Sequence, residues 1–119
     1  MFLKVLKVEN STAQSGKTET IILKEQVLGG TEAMAFTSQL REIADKGIRC
    51  VIIDMSRVEI MNSSGLGMLV SGLSTMRKFG GMIKFASVPQ KVQHLLKMTH
   101  LDTVFETYAT PEEAAASFS

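Results

Sequence analysis

The sequence predicts an α/β fold, a single layer of mixed, mostly parallel β-sheet of about five strands with about four helices in the order β-β-α-β-α-β-α-β-α. Three observations carry this reading. After an opening pair of strands, apolar stretches of strand length alternate with stretches of helical period. The run Cys50-Val51-Ile52-Ile53 is apolar without alternation, as in a strand covered on both faces of a parallel sheet. Gly47 and Gly80-Gly81 follow periodic stretches, where a helix has to end. No repeat, linker or shift of composition divides the chain, so residues 1–119 are read as one domain.

Residues 2–8 (Phe-Leu-Lys-Val-Leu-Lys-Val) and 18–25 (Thr-Glu-Thr-Ile-Ile-Leu-Lys-Glu) read as strands, joined as a hairpin by the polar run Glu9 to Lys17. From Thr31 to Lys46 a helix is expected, with Phe36, Leu40, Ile43 and Ala44 on one stripe and Thr31 as cap. Cys50 to Ile53 should be the central strand. After the Asp54 to Asn62 connection, Leu66, Leu69, Val70, Leu73 and Met76 recur at helical spacing as far as Phe79. Met82 to Ala86 gives another strand, and Ser87-Val88-Pro89-Gln90 a capping pattern before a third helix that ends near Met98 to His100. Val104 to Thr107 is expected as the last strand. Thr110-Pro111-Glu112-Glu113 combines a cap, an early proline and a capping-box glutamate, and so starts a final helix that runs to about Phe118.

Composition narrows the function. With 119 residues and 45% hydrophobic residues, the chain can bury roughly two-thirds of its unfolded surface without staples. Cys50 is the single cysteine and cannot form an internal disulfide. With no signal peptide and no apolar run of about 18 residues, a cytoplasmic setting is expected. Thirteen basic residues are interspersed with twelve acidic ones, which speaks against nucleic acid or membrane as partner. His94 and His100 do not make a metal pair, so neither a metal nor another cofactor is expected. Asn10-Ser11-Thr12 matches a glycosylation acceptor only formally. Cys50 reads as a small buried hydrophobe, and the eight methionines suit an adaptable binding face, although for most, such as Met76 and Met82, core packing explains them equally well.

The segment Asn62-Ser63-Ser64-Gly65-Leu66-Gly67 places two adjacent hydroxyls at the entry to a helix. Unpaired N–H groups and the positive end of the macrodipole favour a phosphoryl group there. The plain alternative is that Asn62, Ser63 and Ser64 are caps and nothing more. A hydrolase nucleophile lacks the G-x-S-x-G elbow and any acid or histidine constellation, so no enzyme activity is expected. Gly65 and Gly67 lack the lysine of a phosphate-binding loop and are better explained by close approach of backbone or of a partner at the first turn.

Asp54-Met55-Ser56, then Asn62-Ser63-Ser64-Gly65-Leu66-Gly67, then Gly80-Gly81 resemble the STAS family, in particular the bacterial anti-sigma-factor antagonists. The element order resembles that fold over essentially the whole chain. In that family a D-[LM]-S segment closes the central strand and D-S-[ST]-G-[LI]-G opens the next helix. The resemblance implies that Ser63 is phosphorylated by a partner kinase that is also an anti-sigma factor, and dephosphorylated by a metal-dependent serine phosphatase. Ser64 matches the second hydroxyl, and Gly65 and Gly67 the family's glycines. Asn62 stands where the family has an acidic residue, and Glu25 to Gly30 departs from its usual Gly-x-Leu-Asp pattern. A non-enzymatic antagonist in a partner-switching pathway is therefore expected, docking through Asn62, Ser63, Ser64, Gly65 and Gly67, with Arg77 and Lys78 as further contacts. The competing expectation is a binding or scaffold module that takes an anion, nucleotide or lipid head group at the same helix start.

Overall fold

A computed structural model of the chain describes residues 3–8 and 18–118. Its elements are β1 (Leu3–Val8), β2 (Thr18–Leu23), β3 (Gln26–Val27), α1 (Glu32–Asp45), β4 (Cys50–Asp54), β5 (Ile60–Met61), α2 (Ser63–Lys78), β6 (Met82–Ala86), α3 (Gln90–Met98), β7 (Thr107–Tyr108) and α4 (Pro111–Ala116). Five strands form one sheet in the order β1-β2-β4-β6-β7. Only the β1–β2 pair is antiparallel; β2, β4, β6 and β7 run parallel. The loop and the formal glycosylation acceptor expected between β1 and β2 lie outside the described residues.

The unbroken apolar run predicted the position of β4 because a middle strand has no solvent face. All five of its residues are buried. Val51 and Ile53, with Ile21, Leu23, Ile83 and Phe85, pack against Phe36 and Leu40 of α1, Leu66, Leu69, Leu73 and Met76 of α2, and Val92 and Leu96 of α3. The alternate residues Ile52 and Ala86 face the other way, onto Ala114 and Ala115 of α4. Helices thus cover both faces, three on one side and the short C-terminal helix on the other.

Four expectations need correction. The last strand is Thr107–Tyr108, not Val104 to Thr107. The Val104 N–H turns back to the Leu101 carbonyl at 3.0 Å, and Phe105 stacks on Phe85 with centroids 4.1 Å apart, so its apolar character serves the core from a turn. Thr31 has helical backbone angles and makes no capping bond; the first N–H groups of α1 donate to the carbonyls of Gly29 and Gly30 instead. Ser87 does not cap α3, since its hydroxyl donates to the Ala109 carbonyl at 3.1 Å and Pro89 takes the cap position. Finally, the Asp54 to Asn62 connection is not plain loop: Ile60–Met61 pairs in parallel with Gln26–Val27 as a two-stranded ribbon.

Candidate functional site

Because β2, β4 and β6 are parallel, the segments leaving them emerge at one edge of the sheet, the usual place for a site in such folds. The Asp54-Met55-Ser56 segment makes the turn out of β4. One Asp54 carboxylate oxygen accepts from the Ser56 N–H at 2.9 Å, a local bond that Asp is suited to make, while Met55 is fully buried. The chain then passes through β5 and reaches Asn62, whose backbone is still extended, just before the helix, and whose side chain accepts from the Gly65 N–H at 2.8 Å. Asn62 is therefore the cap of α2.

That assignment leaves Ser63 and Ser64 as the first two helical residues, both exposed. Among the described residues the Ser63 hydroxyl has no hydrogen-bond partner, so the capping explanation accounts for Asn62 but not for Ser63. The first turn of this 16-residue helix contains no acidic side chain, and its terminal N–H groups and dipole present a positive end to solvent.

Gly65 and Gly29 fix the shape of the turn. A Cβ on Gly65 would lie 2.0 Å from the Val27 carbonyl oxygen, so only glycine lets α2 start this close to β3. Gly29 has φ of +77°, and a Cβ there would lie 2.7 Å from the Ser64 carbonyl group. The loop after β3 thus rests directly on the backbone of Ser64. The Asn62 N–H completes the joint by donating to the Val27 carbonyl at 3.3 Å.

The expected site residues do not all share one place. Asn62, Ser63, Ser64 and Gly67 are exposed together at the turn and first helical turn. Gly65, grouped with them from the sequence, is buried; it faces the domain's own backbone and presents no surface for docking. Arg77 and Lys78 sit at the far end of α2, about 21 Å from Ser63 at 1.5 Å per residue, where they complement the negative helix end. They line a separate groove of about 400 Å³ with Val70, Leu73 and Val104. The structure adds neighbours that sequence reading passed over: Leu28, directly after β3, and Ile60 of β5, 42% and 52% exposed, are carried to the hydroxyl turn by the β3–β5 ribbon and its loop. Their only sequence signal is an apolar residue in a segment too short to show a period.

Among the described residues no group of three or more His, Cys, Asp or Glu side chains could hold a metal ion, and no helix is long and apolar enough to cross a membrane.

The model of the STAS domain family matches residues 20–114, which takes in the turn, the ribbon and both helical layers. The chain belongs to the STAS domain family. A protein of Thermotoga maritima assigned as an anti-sigma factor antagonist is 33% identical over 73 residues, which are 61% of this chain. The match spans 65% of that relative's own length. A crystal structure of an assigned anti-sigma factor antagonist from the same organism has a TM-score of 0.69 at 29% identity, covering 83% of this chain and 86% of that one. The phosphorylated form of SpoIIAA, a Bacillus cell-fate determinant, has a TM-score of 0.66 at 16% identity, covering 96% of this chain and all of that one. At that identity the likeness speaks for the fold alone. The mixed sheet with four helices is thus the architecture of STAS domains, as its sequence predicts.

Proposed function

We propose that this STAS domain is an anti-sigma-factor antagonist controlled by phosphorylation of Ser63. One observation carries the proposal: Asn62 caps α2, which leaves an exposed, uncommitted hydroxyl on the first residue of the helix. The names of the relatives support the general role. The partners are then an anti-sigma factor that is also a serine kinase, and a serine phosphatase that restores the hydroxyl, all in the cytoplasm. Ser64 is the poorer acceptor, because its backbone lies under Gly29.

Phosphate at Ser63 adds about −1.5 to −2 charges at neutral pH. The N-terminal N–H groups and dipole of α2 favour that charge, so folding tolerates it. A docked partner does not: the same surface, with Leu28, Ile60 and Gly67 around it, would have to bury a doubly charged group. A differential affinity of about 3–4 kcal/mol moves occupancy by two to three decades. Asn62 keeps the cap without a carboxylate, so the acidic residue usual before the acceptor is not required for the turn.

The test has two parts. The purified chain, incubated with ATP and the serine kinase of its own organism, should carry phosphate on the peptide containing Ser63 and not on Ser63→Ala. In direct binding to that kinase, Ser63→Ala should bind like the wild type and Ser63→Asp should not. Equal binding by the two variants would sink the proposal. Stabilisation of the unmodified protein by phosphate or a nucleotide would instead favour the ligand module.

A further inference from the structure

The turn at Ser63 leaves unexplained a second surface next to it. Helix α3 buries Val92 and Leu96 and turns Gln90, Lys91, Gln93, His94 and Lys97 outward along a shallow groove of about 460 Å³. No acidic residue occurs from Ser87 to Leu101, in a chain whose formal net charge is only +1. Among the described residues neither Lys91 nor Lys97 has an ion-pair partner; the basic side of α3 lacks the spaced carboxylates that usually accompany lysines on a solvated helix. Lys91 also lines a smaller groove of about 180 Å³, whose other walls are Glu59, Ile60, Met61 and Val92. The two grooves meet at Lys91, giving one path from the apolar Ile60–Met61 step to the basic face of α3.

We propose that this path binds an acidic segment of a protein partner, with an apolar side chain at the Ile60 end and carboxylates along Lys91, His94 and Lys97. Three features select that occupant. Ile60 and Met98, 52% and 63% exposed, offer apolar contact at both ends of a basic stretch, which suits a mixed acidic and apolar peptide. Two lysines and one histidine are few for a phosphate backbone, and Glu59 in the groove wall would repel a continuous polyanion. A membrane surface fits less well, because the apolar side of α3 is spent on the core and its outward side is polar. The surface binds by charge complementarity and does not depend on the modification state of Ser63 for its existence.

A displayed library of random dodecapeptides, selected on the immobilised full chain and in parallel on a Lys91→Glu/Lys97→Glu variant, tests this. Both substitutions are at exposed positions, and matching thermal unfolding of the two proteins confirms that the variant is folded. On the wild type, selected peptides should be rich in Asp and Glu with at least one large apolar residue. On the variant that preference should disappear or invert towards Lys and Arg. The best wild-type peptide should bind the variant about tenfold more weakly or worse, and should perturb amide signals of Ile60, Lys91 and Lys97. Enrichment of the same peptides by both proteins, selection without acidic preference, or no selection at all overturns the proposal. So does binding of phosphatidylglycerol vesicles by a protein that selects no acidic peptide. Ser63→Ala should select like the wild type, which separates this surface from the phosphorylation switch.

Discussion

At the residue scale the hydroxyl turn is a set of close approaches, and each makes its own prediction. Gly65→Ala would drive a methyl group into the Val27 carbonyl oxygen and should cost about 3 kcal/mol in urea unfolding. Gly67, two residues on, has nothing within 4 Å of a Cβ, so Gly67→Ala should be neutral or stabilise by up to about 1 kcal/mol through helix propensity. The pair separates two glycines that the sequence pattern treats alike. Asn62→Ala removes the cap and should cost about 1 kcal/mol, whereas Asn62→Asp keeps the acceptor and adds a favourable charge worth about 0.3–1 kcal/mol. Thermal and urea unfolding of the four variants decide all of these. The role of Gly65 was half legible: the glycine at a first helical turn implied close approach of backbone or of a partner, and residue order alone does not decide between the two.

At the scale of elements, α4 is the shortest helix, six residues that pack Ala114 and Ala115 on Ile52 and Ala86, and Lys84 ties down the residues that follow it. The Lys84 ammonium donates to the Ser117 hydroxyl at 2.8 Å, lies 3.3 Å from Glu106, and sits 4.3 Å from the centre of the Phe118 ring. Its side chain is 10% exposed, so it is a buried charge whose desolvation offsets much of what its partners return. Lys84→Met should therefore change stability by less than about 1 kcal/mol, while Lys84→Ala, which leaves a cavity, should cost about 2 kcal/mol or more. Glu106 behaves differently. A hydrogen bond from Tyr108, and then Lys84, hold its carboxyl below the usual carboxylate value. A depressed folded value means that the stability is present above the unfolded value and is lost as pH falls through the folded one. Because Glu106 is 60% exposed, the effect is screened, and Glu106→Gln should lose under about 1 kcal/mol at pH 7 and match the wild type well below pH ~4. The helical period of α1 and α2 and the unbroken apolar run of β4 made those elements legible in advance. The burial of Lys84, on a strand that was expected, and the place of Phe105 in a turn were not, since a single lysine or a lone aromatic has no period, and only tertiary packing tells where it goes.

Over the whole molecule, the two-residue ribbon of β3 and β5 matters more than its size suggests. It brings the loop after β3 against the start of α2, and so joins two chain segments that sequence reading kept apart. The hydroxyl motif itself could be read from residue order, because a cap and a helix period are local. The apolar flank and the basic path along α3 could not, because they arise only when parallel strands deliver their exits to one edge. Phosphorylated protein, if Ser63 is the acceptor, should melt no lower than the unmodified chain, since the added charge meets the favourable end of α2. Calorimetry of the two forms checks this, and a fall of about 5 °C or more would mean that the phosphate disturbs the fold.

The tight seating of the turn has a further consequence. Gly29 is seated on Ser64 and Gly65 on Val27, while Ser63 itself is exposed, so a group added there enters solvent and need not displace the core. The domain would then act as a carrier of a mark and not as a lever. Its state would be written on one spot and read by touch at that spot, and the time needed to change it would be set wholly by the enzymes that write and erase.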